Sequence, residues 1–281
     1  MSSYRFCRTD DIGLLVDALN RCWAPHFPDE PAMTPAAFKR SIRDLQVWCS
    51  SCMVAFAGPD PIGVLIGAKR PTGTLVHKIA VHPDHVRQGH GRHLLDSLGS
   101  KLAILGPPRI VAEVPEAFTG AGALFSASGF ADEGVLTDYV HDGAPVDPQE
   151  IPGRFVIPVS LDDLAANGLL EATSSHTCWE RSIETLTARK EEVAGLAVAS
   201  EERIEACILY IKDGEIVWLR TFVDGQGARL RQLLGQLQAI GVASLRFQKV
   251  HAAEAPAEFL KTLGFRAAGR HRLYAALARS T

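Results

Sequence analysis

The feature that most constrains the fold of this chain is a repeat of glycine and aromatic residues at one fixed spacing. Three sets of residues lie 135 positions apart: Gly106 with Gly241, Gly129-Phe130 with Gly264-Phe265, and Tyr139 with Tyr274. Self-similarity at one spacing across a chain of 281 residues indicates that a single domain has been duplicated.

The same order of strands and helices is predicted on both sides of residues 142–153, DGAPVDPQEIPG. Each side reads as a strand, two helices, three strands, a helix, a strand, a helix and a last strand. The prolines and glycines of 142–153 cannot continue a helix or a central strand, so this stretch is predicted to be a linker. We therefore expect an α+β fold with two tandem domains, 1–143 and 152–281, each with a mostly antiparallel mixed sheet flanked by helices.

Composition excludes several classes of protein. A net charge of −3 and a pI near 6.4 do not predict the basic face of a nucleic-acid-binding protein. No apolar run reaches the roughly 18 residues of a membrane span, and the start, MSSYRFCRTDD, does not resemble a signal peptide, so we expect a cytoplasmic protein. Cys49 and Cys52 have redox-pair spacing, but they fall in a predicted strand and have no second pair for zinc.

Residues 82–95, HPDHVRQGHGRHLL, join a predicted strand to a predicted amphipathic helix. Two histidine pairs, His82 with His85 and His90 with His93, raise the possibility of a metal site. They straddle a proline turn and a glycine loop, so solvated loop histidines are the favoured interpretation and no metal is expected. A Walker loop is absent, and the third glycine of a dinucleotide-binding loop is replaced by Leu94.

Residues 81–95, VHPDHVRQGHGRHLL, resemble the signature loop of the GNAT family of N-acetyltransferases. The resemblance covers residues 4–141 well, and it covers 154–281 as an order of elements without the loop. It implies tandem GNAT-like domains and acetyl-CoA as co-substrate, with the pyrophosphate against glycine-loop amides and a helix N-terminus. Val86 departs from the usual Gln or Arg. The implied acetyl-CoA contacts are Ala80, Val81, Val86, Arg87, Gln88, Gly89, His90, Gly91, Arg92 and Phe125.

The second half is predicted to lack the phosphate-binding turn. Gly225 follows Val223 after two positions, whereas eight positions separate Val81 from Gly89. We therefore expect one acetyl-CoA site in each chain, in the first domain, and a degenerate second domain.

The resemblance also implies catalytic roles. The backbone N–H of Val81 or a neighbour, at a bulge in its strand, would face the thioester oxygen. Glu113 matches the general base of the ribosomal-protein N-acetyltransferases. The alternative is that Glu113 merely faces solvent at a strand end. His77 is the next candidate for the base. The tyrosine that usually acts as general acid is replaced by Phe125, and the usual asparagine by Phe118. Tyr139 is a substitute candidate, although packing in its strand is the favoured interpretation.

The segment between the first two helices, RCWAPHFPDEPAMTP, is the expected acceptor-binding segment. Asp29 and Glu30 could hold a cationic amine, and Trp23 and Phe27 could pack against its body. We expect an N-acetyltransferase acting on a small-molecule amine or a peptide N-terminus, as a monomer or homodimer, without a nucleic-acid or membrane partner. The alternatives are a non-catalytic acyl-CoA-binding or sensing protein and a histidine-based metal-binding protein.

Overall fold

The computed structural model describes residues 2–143, 151–170, 177–211, 213–225, 227–242 and 244–279. These residues form two compact units. Unit 1 contains the described residues up to Gly134 together with those from Arg272 onward, and unit 2 contains those from Val135 to His271.

Unit 1 is built on a mixed sheet with helices on its faces. Its strands lie in the order β1-β2-β3-β4-β5 and then the end of β12, and the pairing is antiparallel from β1 to β4 and parallel between β4 and β5. Helix α2 begins as its Thr-Pro start predicts, because the Thr34 hydroxyl accepts a hydrogen bond from the Ala37 amide at 3.1 Å. The elements are β1 (Ser2–Phe6), α1 (Ile12–Cys22), α2 (Pro35–Leu45), β2 (Met53–Ala57), β3 (Asp60–Arg70), β4 (Gly73–Val81), α3 (His90–Leu105), β5 (Arg109–Pro115), α4 (Thr119–Ala127) and β6 (Ala131–His141).

One core cluster of unit 1 lies between the sheet and helices α3 and α4. Alternate residues of β5 point into it, as the period of a strand requires. Helix α3 adds leucines at helical spacing, each of which stabilises the fold by about 1.5–3 kcal/mol on burial. The buried members from these three elements and β12 are Ile110, Ala112, Val114, Leu94, Leu95, Leu98, Leu102, Phe125 and Tyr274.

Strands β4 and β5 are paired over only a short part of their length. Thr74 pairs with Ile110 and Leu75 with Val111, and these are the two pairs that the described residues make. Beyond Leu75 the strands separate, so β4 leaves backbone groups open toward β5. A register shift lies between Val76 and Lys78 of β4, which makes His77 the bulged residue.

Unit 2 repeats this plan. Its strands lie in the order β6-β11-β10-β9-β8-β7, with the start of β12 beside β6, and β10 and β11 form its parallel pair. Its elements are β7 (Phe155–Pro158), α5 (Leu161–Ala166), α6 (Ile183–Ala188), β8 (Val193–Ala199), β9 (Ile204–Ile211), β10 (Glu215–Thr221), α7 (Ala228–Ala239), β11 (Leu245–His251), α8 (Ala257–Thr262) and β12 (Arg266–Leu277). The expected α+β class, with mostly antiparallel mixed sheets flanked by helices, is confirmed.

Two strands are divided between the compact units. Strand β6 belongs to unit 1 as far as Gly134 and to unit 2 from Val135, and β12 passes back into unit 1 at Arg272. The bounds of the compact units therefore differ from those of the two predicted domains, 1–143 and 152–281. That these two ranges are the domains that fold separately stays a prediction. Most of the predicted linker, 144–150, lies outside the described residues.

Two further findings concern sequence expectations. Cys49 opens a 3-10 turn, Cys49–Ser51, so the prediction of a strand was wrong there and β2 begins only at Met53. Burial raises the pKa of both the Cys49 and the Cys52 thiol, which disfavours the thiolate that redox chemistry needs. Among the described residues, no helix is long and apolar enough to cross a membrane.

Candidate functional site

The loop after β4 is fixed by its own backbone hydrogen bonds. The His82 amide donates to the carbonyl of Ile62 at 2.9 Å, which ties the end of β4 to β3. Residues Pro83–His85 then form one 3-10 turn, inside which the Asp84 amide donates to His82 Nδ1 at 3.3 Å. The predicted proline turn therefore holds the following residues in place at the start of α3.

The segment before α3 contains two residues with left-handed backbone conformations. Arg87 has φ of 65° and Gly89, the residue that caps α3, has φ of 86°. A left-handed conformation is unusual and costly for arginine, and such strain often marks a functional site. Helix α3 is 16 residues long and has neither a side-chain cap nor an acidic residue in its first turn. Its first amides are therefore left for an anion.

The two glycines of the loop have different surroundings. A side chain at Gly89 would meet no atom within 4 Å, so this residue faces open space. A Cβ at Gly91 would lie 3.0 Å from Leu124 Cδ2 of α4. Gly91 thus lies tightly packed against Leu124 of α4, while Gly89 lines the open side of the loop.

The loop residues that were predicted to contact acetyl-CoA differ in how far their side chains are exposed. Val86, Arg87, Gln88 and Arg92 are exposed, and Arg92 lies 3.6 Å from Asp96 on the next turn of α3. His90 is only 6% exposed, and its Nδ1 shares a 2.6 Å hydrogen bond with the Tyr4 hydroxyl. Burial lowers the pKa of His90 and keeps the ring neutral. The side chain of His90 points into unit 1, so its amide is the group that is available to a ligand.

The histidines of the loop make aromatic contacts. The ring of His93 lies 3.8 Å from that of Tyr4, while the ring of His85 lies 6.0 Å from His82 and 6.4 Å from His90. Tyr4 therefore packs against the first turn of α3 through both His90 and His93.

The end of β4 carries the predicted backbone donors. Ala80 pairs with Val64 and Val81 with Gly63 of β3, and the strand is regular at both positions. The bulge lies four residues before Val81, at His77, so the prediction of a bulge at Val81 or its neighbour was wrong. Sequence reasoning missed His26, whose Nε2 donates to the Val81 carbonyl at 2.8 Å and holds the strand end.

Glu113 lies on β5 in the part that has separated from β4. Its neighbours Ala112 and Val114 are buried on the face that packs against α3 and α4. Since strand side chains alternate, Glu113 points to the opposite face of the sheet and is half-buried there. The carboxylate is thus on the side of the sheet that faces away from α4.

Phe125 is part of the core of unit 1. It is 2% exposed, with its ring edge-on to Phe130 at 5.1 Å and stacked on Tyr274 at 5.7 Å. Tyr274 belongs to the end of β12, which sequence reasoning did not connect with this site. Tyr139, the predicted substitute, lies in a core cluster of unit 2 opposite Phe247, which favours its packing role.

A cavity of about 480 Å³ opens between α4, the end of β5 and the end of β12. Tyr274 lines it, together with the Arg272 and Glu116 side chains, which form an ion pair at 2.7 Å. Phe118, at the usual asparagine position, also lines it, whereas Phe125 does not. Tyr274 is thus the member of the aromatic stack that both carries a hydroxyl and lines this cavity.

Three of the four residues that were predicted to bind the acceptor, Trp23, Phe27 and Glu30, lie close together. Trp23 and Phe27 are stacked at 4.1 Å, and Phe27 is edge-on to Phe118 at 4.9 Å. Lys78 of β4, which sequence reasoning missed, lies 3.8 Å above the Trp23 ring and forms an ion pair with Glu30 at 3.1 Å.

The two predicted acidic residues differ in their contacts. Glu30 also accepts a hydrogen bond from Trp23 Nε1 at 3.0 Å. Its charge is therefore already matched by Lys78, so Glu30 orients Trp23. Asp29 is exposed on the same segment.

The corresponding helix start in unit 2 is occupied by protein side chains. Helix α7 begins at Ala228, and its Arg229 is bonded to Glu205 of β9, which also accepts from Arg154 at 2.8 Å. A Cβ at Gly227, the residue before α7, would lie 2.9 Å from Leu263. This helix start therefore differs from the open loop at Gly89.

Comparisons with known proteins agree with this geometry. Residues 14–130 match the model of the Acetyltransferase (GNAT) family. The chain is similar in structure to a tandem GNAT protein from the clavulanic acid biosynthesis pathway, with a TM-score of 0.67, 16% identity and 100% of both chains covered. It is also similar to a GCN5-related N-acetyltransferase from Sphaerobacter thermophilus, with a TM-score of 0.72, 15% identity and coverage of 99% of this chain and 96% of that one.

A search of curated protein sequences found no match. The family match covers the strands and helices that build the loop, the separated strands and α4. The structural similarity extends over both units. The chain therefore has the fold of tandem GNAT proteins, and its residues 14–130 match the acetyltransferase (GNAT) family.

Proposed function

We propose that the chain is an N-acetyltransferase that moves an acetyl group from acetyl-CoA to a primary amine by direct attack. The observation that carries this proposal is the start of α3. Arg87 and Gly89 adopt left-handed conformations directly before a 16-residue helix with uncapped amides. This start lies in the same unit as the separated ends of β4 and β5.

The residues at the start of α3 fit the nucleotide end of coenzyme A. A pyrophosphate needs amide donors and positive potential, and the α3 start offers both, with the exposed Arg87 and Arg92 close by in sequence. The open space beside Gly89 allows backbone and phosphate to approach each other. When bound, acetyl-CoA supplies an activated acetyl thioester.

The residues beyond this start suggest how the chain promotes transfer. An amide at the open end of β4, at Ala80 or Val81, would stabilise the oxygen that becomes negative during attack. Glu113 would take the proton that an ammonium acceptor must lose before it can attack. Because Glu113 lies on the face of β5 away from α4, we propose that the acceptor amine approaches from that face.

The stacked Trp23 and Phe27 would cover the apolar body of the acceptor. The ion pair with Lys78 withdraws Glu30 from direct contact with an ammonium group, so Asp29 is the predicted acidic residue that stays open to one. A small-molecule amine and a peptide N-terminus both fit this description. A panel of primary amines of both kinds, with free thiol measured as product, separates them.

A non-catalytic acyl-CoA-binding protein is a second candidate. It is favoured by Phe125, which puts a buried ring without a hydroxyl at the usual position of the general acid. Acetyl-CoA binding without thiol release for any amine in the panel would support this second function and contradict the first.

The binding part of the proposal is tested by calorimetry on Gly89→Glu, with Gly241→Glu as a matched control. Both glycines have positive φ, 86° and 95°, and open space at the Cβ position, so both changes introduce similar backbone strain. Only Gly89 lies at the start of α3, where a carboxylate would repel the pyrophosphate. We expect one acetyl-CoA per wild-type chain, loss of binding in Gly89→Glu, and wild-type affinity in Gly241→Glu. Equal affinity in all three proteins would contradict the assigned site.

A further inference from the structure

The cavity between α4 and the end of β12 is lined by a tyrosine, Tyr274, that belongs to the second half of the repeat. Tyr274 lies far beyond α4 in the sequence, and its ring is stacked on Phe125 of that helix at an interplanar angle of 15°. The ring is almost fully buried, yet Tyr274 lines the cavity. Among the described residues, no hydrogen bond joins its hydroxyl to a protein group.

The position of this hydroxyl is set by a glycine of α4. A Cβ at Gly122 would lie 2.9 Å from the Tyr274 hydroxyl oxygen, a distance that real Cβ atoms do not tolerate. The absence of a side chain at Gly122 therefore lets the phenol lie directly against the first turn of α4. Gly120, on the same helix, has no atom within 4 Å of a Cβ position.

The two faces of β5 carry different groups. Val114 and Tyr274 line the cavity on the α4 side, while Glu113 points to the opposite face. Transfer of an acyl group needs a proton acceptor at the attacking amine and a donor at the leaving sulfur, which lie on opposite sides of the reacting carbon. An acid and a base on opposite faces of one strand match that requirement.

Resting on the proposed function, we infer that Tyr274 takes the role of the missing tyrosine and donates a hydrogen bond to the sulfur of coenzyme A. As the amine nitrogen forms its bond to the carbonyl carbon, the C–S bond breaks and the electron pair remains on sulfur. The Tyr274 hydroxyl proton passes to that thiolate, Glu113 takes the proton from the amine, and both groups exchange with water afterwards. The products are the acetamide and free coenzyme A.

The inference is tested by comparing the affinities of coenzyme A and desulfo-coenzyme A by calorimetry, which requires no turnover. One hydrogen bond is worth about 0.5–1.5 kcal/mol, so the wild-type protein should bind coenzyme A roughly 2- to 12-fold more tightly than the desulfo compound. Tyr274→Phe keeps the stacked ring but removes the hydroxyl. This variant should therefore lose the roughly 2- to 12-fold preference for coenzyme A over the desulfo compound. Tyr210→Phe, a matched change of a buried tyrosine in unit 2, should keep the wild-type ratio.

A second pair of variants leaves Tyr274 unchanged, so the test survives if Tyr274→Phe fails to fold. Gly122→Ala displaces the hydroxyl and should lower the ratio, whereas Gly120→Ala makes the same change in open space on the same helix and should not. In turnover, kcat of Tyr274→Phe should fall.

The outcomes separate this inference from the proposed function. If neither compound binds the wild-type protein, the proposed function is wrong and this inference with it. If both bind and the ratio is the same in wild type, Tyr274→Phe and Gly122→Ala, the inference is overturned while the proposed acetyl-CoA site stands. A ratio that responds to Tyr139→Phe instead of Tyr274→Phe also overturns it.

Discussion

At the scale of single residues, equivalent positions of the repeat have acquired different surroundings. Tyr139 and Tyr274 lie 135 positions apart, but Tyr139 packs in a core of unit 2 and Tyr274 borders a cavity of unit 1. Glu113 of β5 corresponds to Gln248 of β11, which cannot take a proton. The catalytic role proposed for Glu113 therefore has no counterpart in the second half of the repeat.

Glu113→Gln tests that role. The amide keeps the shape of the side chain and its ability to form hydrogen bonds, but it cannot act as a base. We expect kcat/KM to fall by roughly 10²-fold or more while acetyl-CoA affinity stays near the wild-type value, since the carboxylate is not expected to touch the cofactor phosphates. Activity of the wild-type protein should rise with pH through one ionisation, and that limb should vanish in the variant.

The rival base is His77, the bulged residue of β4. His77→Gln should therefore retain the pH limb. If the limb instead survives in Glu113→Gln and is lost in His77→Gln, the base is His77 and the assignment of Glu113 is wrong.

At the scale of elements, two helices that begin after equivalent strands have different N-termini. Helix α3 follows a nine-residue strand and an open loop, and its first amides are uncapped. Helix α7 begins seven positions after the end of β10, and Arg229 in its first turn is bonded to the buried Glu205. The short connection leaves the start of α7 held by an internal ion pair, which stabilises the fold of unit 2.

Glu205→Gln tests this structural role. Glu205 is 4% exposed on its side chain and is paired with both Arg154 and Arg229, so removal of its charge leaves two guanidinium groups poorly matched. We expect the free energy of unfolding to fall by about 1–3 kcal/mol at pH 7. Chemical denaturation measures this change, and Glu202→Gln, on the exposed turn before β9, is the matched control.

The pH dependence gives an independent check. The hydrogen bond from Arg154 lowers the pKa of Glu205 below its ordinary value of 4.5. The stability that Glu205 contributes should therefore be complete above about pH 5 and be lost as the pH falls through its lowered folded-state pKa. A difference between wild type and Glu205→Gln that stays constant from pH 7 to pH 3 would contradict this account.

At the scale of the whole molecule, unit 1 needs residues from the far end of the chain. The part of β12 from Arg272 onward belongs to unit 1, where Tyr274 stacks on Phe125 and the Ala278 amide donates to the Pro108 carbonyl at 2.6 Å. Arg272 adds ion pairs to Glu116 and Asp132. The first half of the repeat is therefore incomplete without the last strand.

A chain that ends at His271 tests this dependence. Loss of Tyr274 alone should cost about 3–5 kcal/mol, as for other large aromatic residues removed from a core, and the edge of β5 would also lose its neighbour. We expect a lower Tm and weaker acetyl-CoA binding than in the full chain, measured by calorimetry. A chain that ends at Arg279 keeps all of β12 and serves as the control. An unchanged Tm in the shorter chain would show that unit 1 folds without the strand.

The sequence by itself predicted the α+β class, the duplication, the loop and most helices and strands, because these depend on local periodicity, glycine positions and capping residues such as Thr34. It also placed Trp23 and Phe27 in one segment between the first two helices. Only the tertiary structure located the bulge at His77, turned the His90 ring toward Tyr4, paired Glu30 with Lys78 and placed Tyr274 against Phe125 and Gly122. The division of β6 and β12 between the units and the pairing of these side chains depend on contacts between residues far apart in sequence. Neither periodicity nor motif spacing specifies which of two repeated strands completes a given sheet.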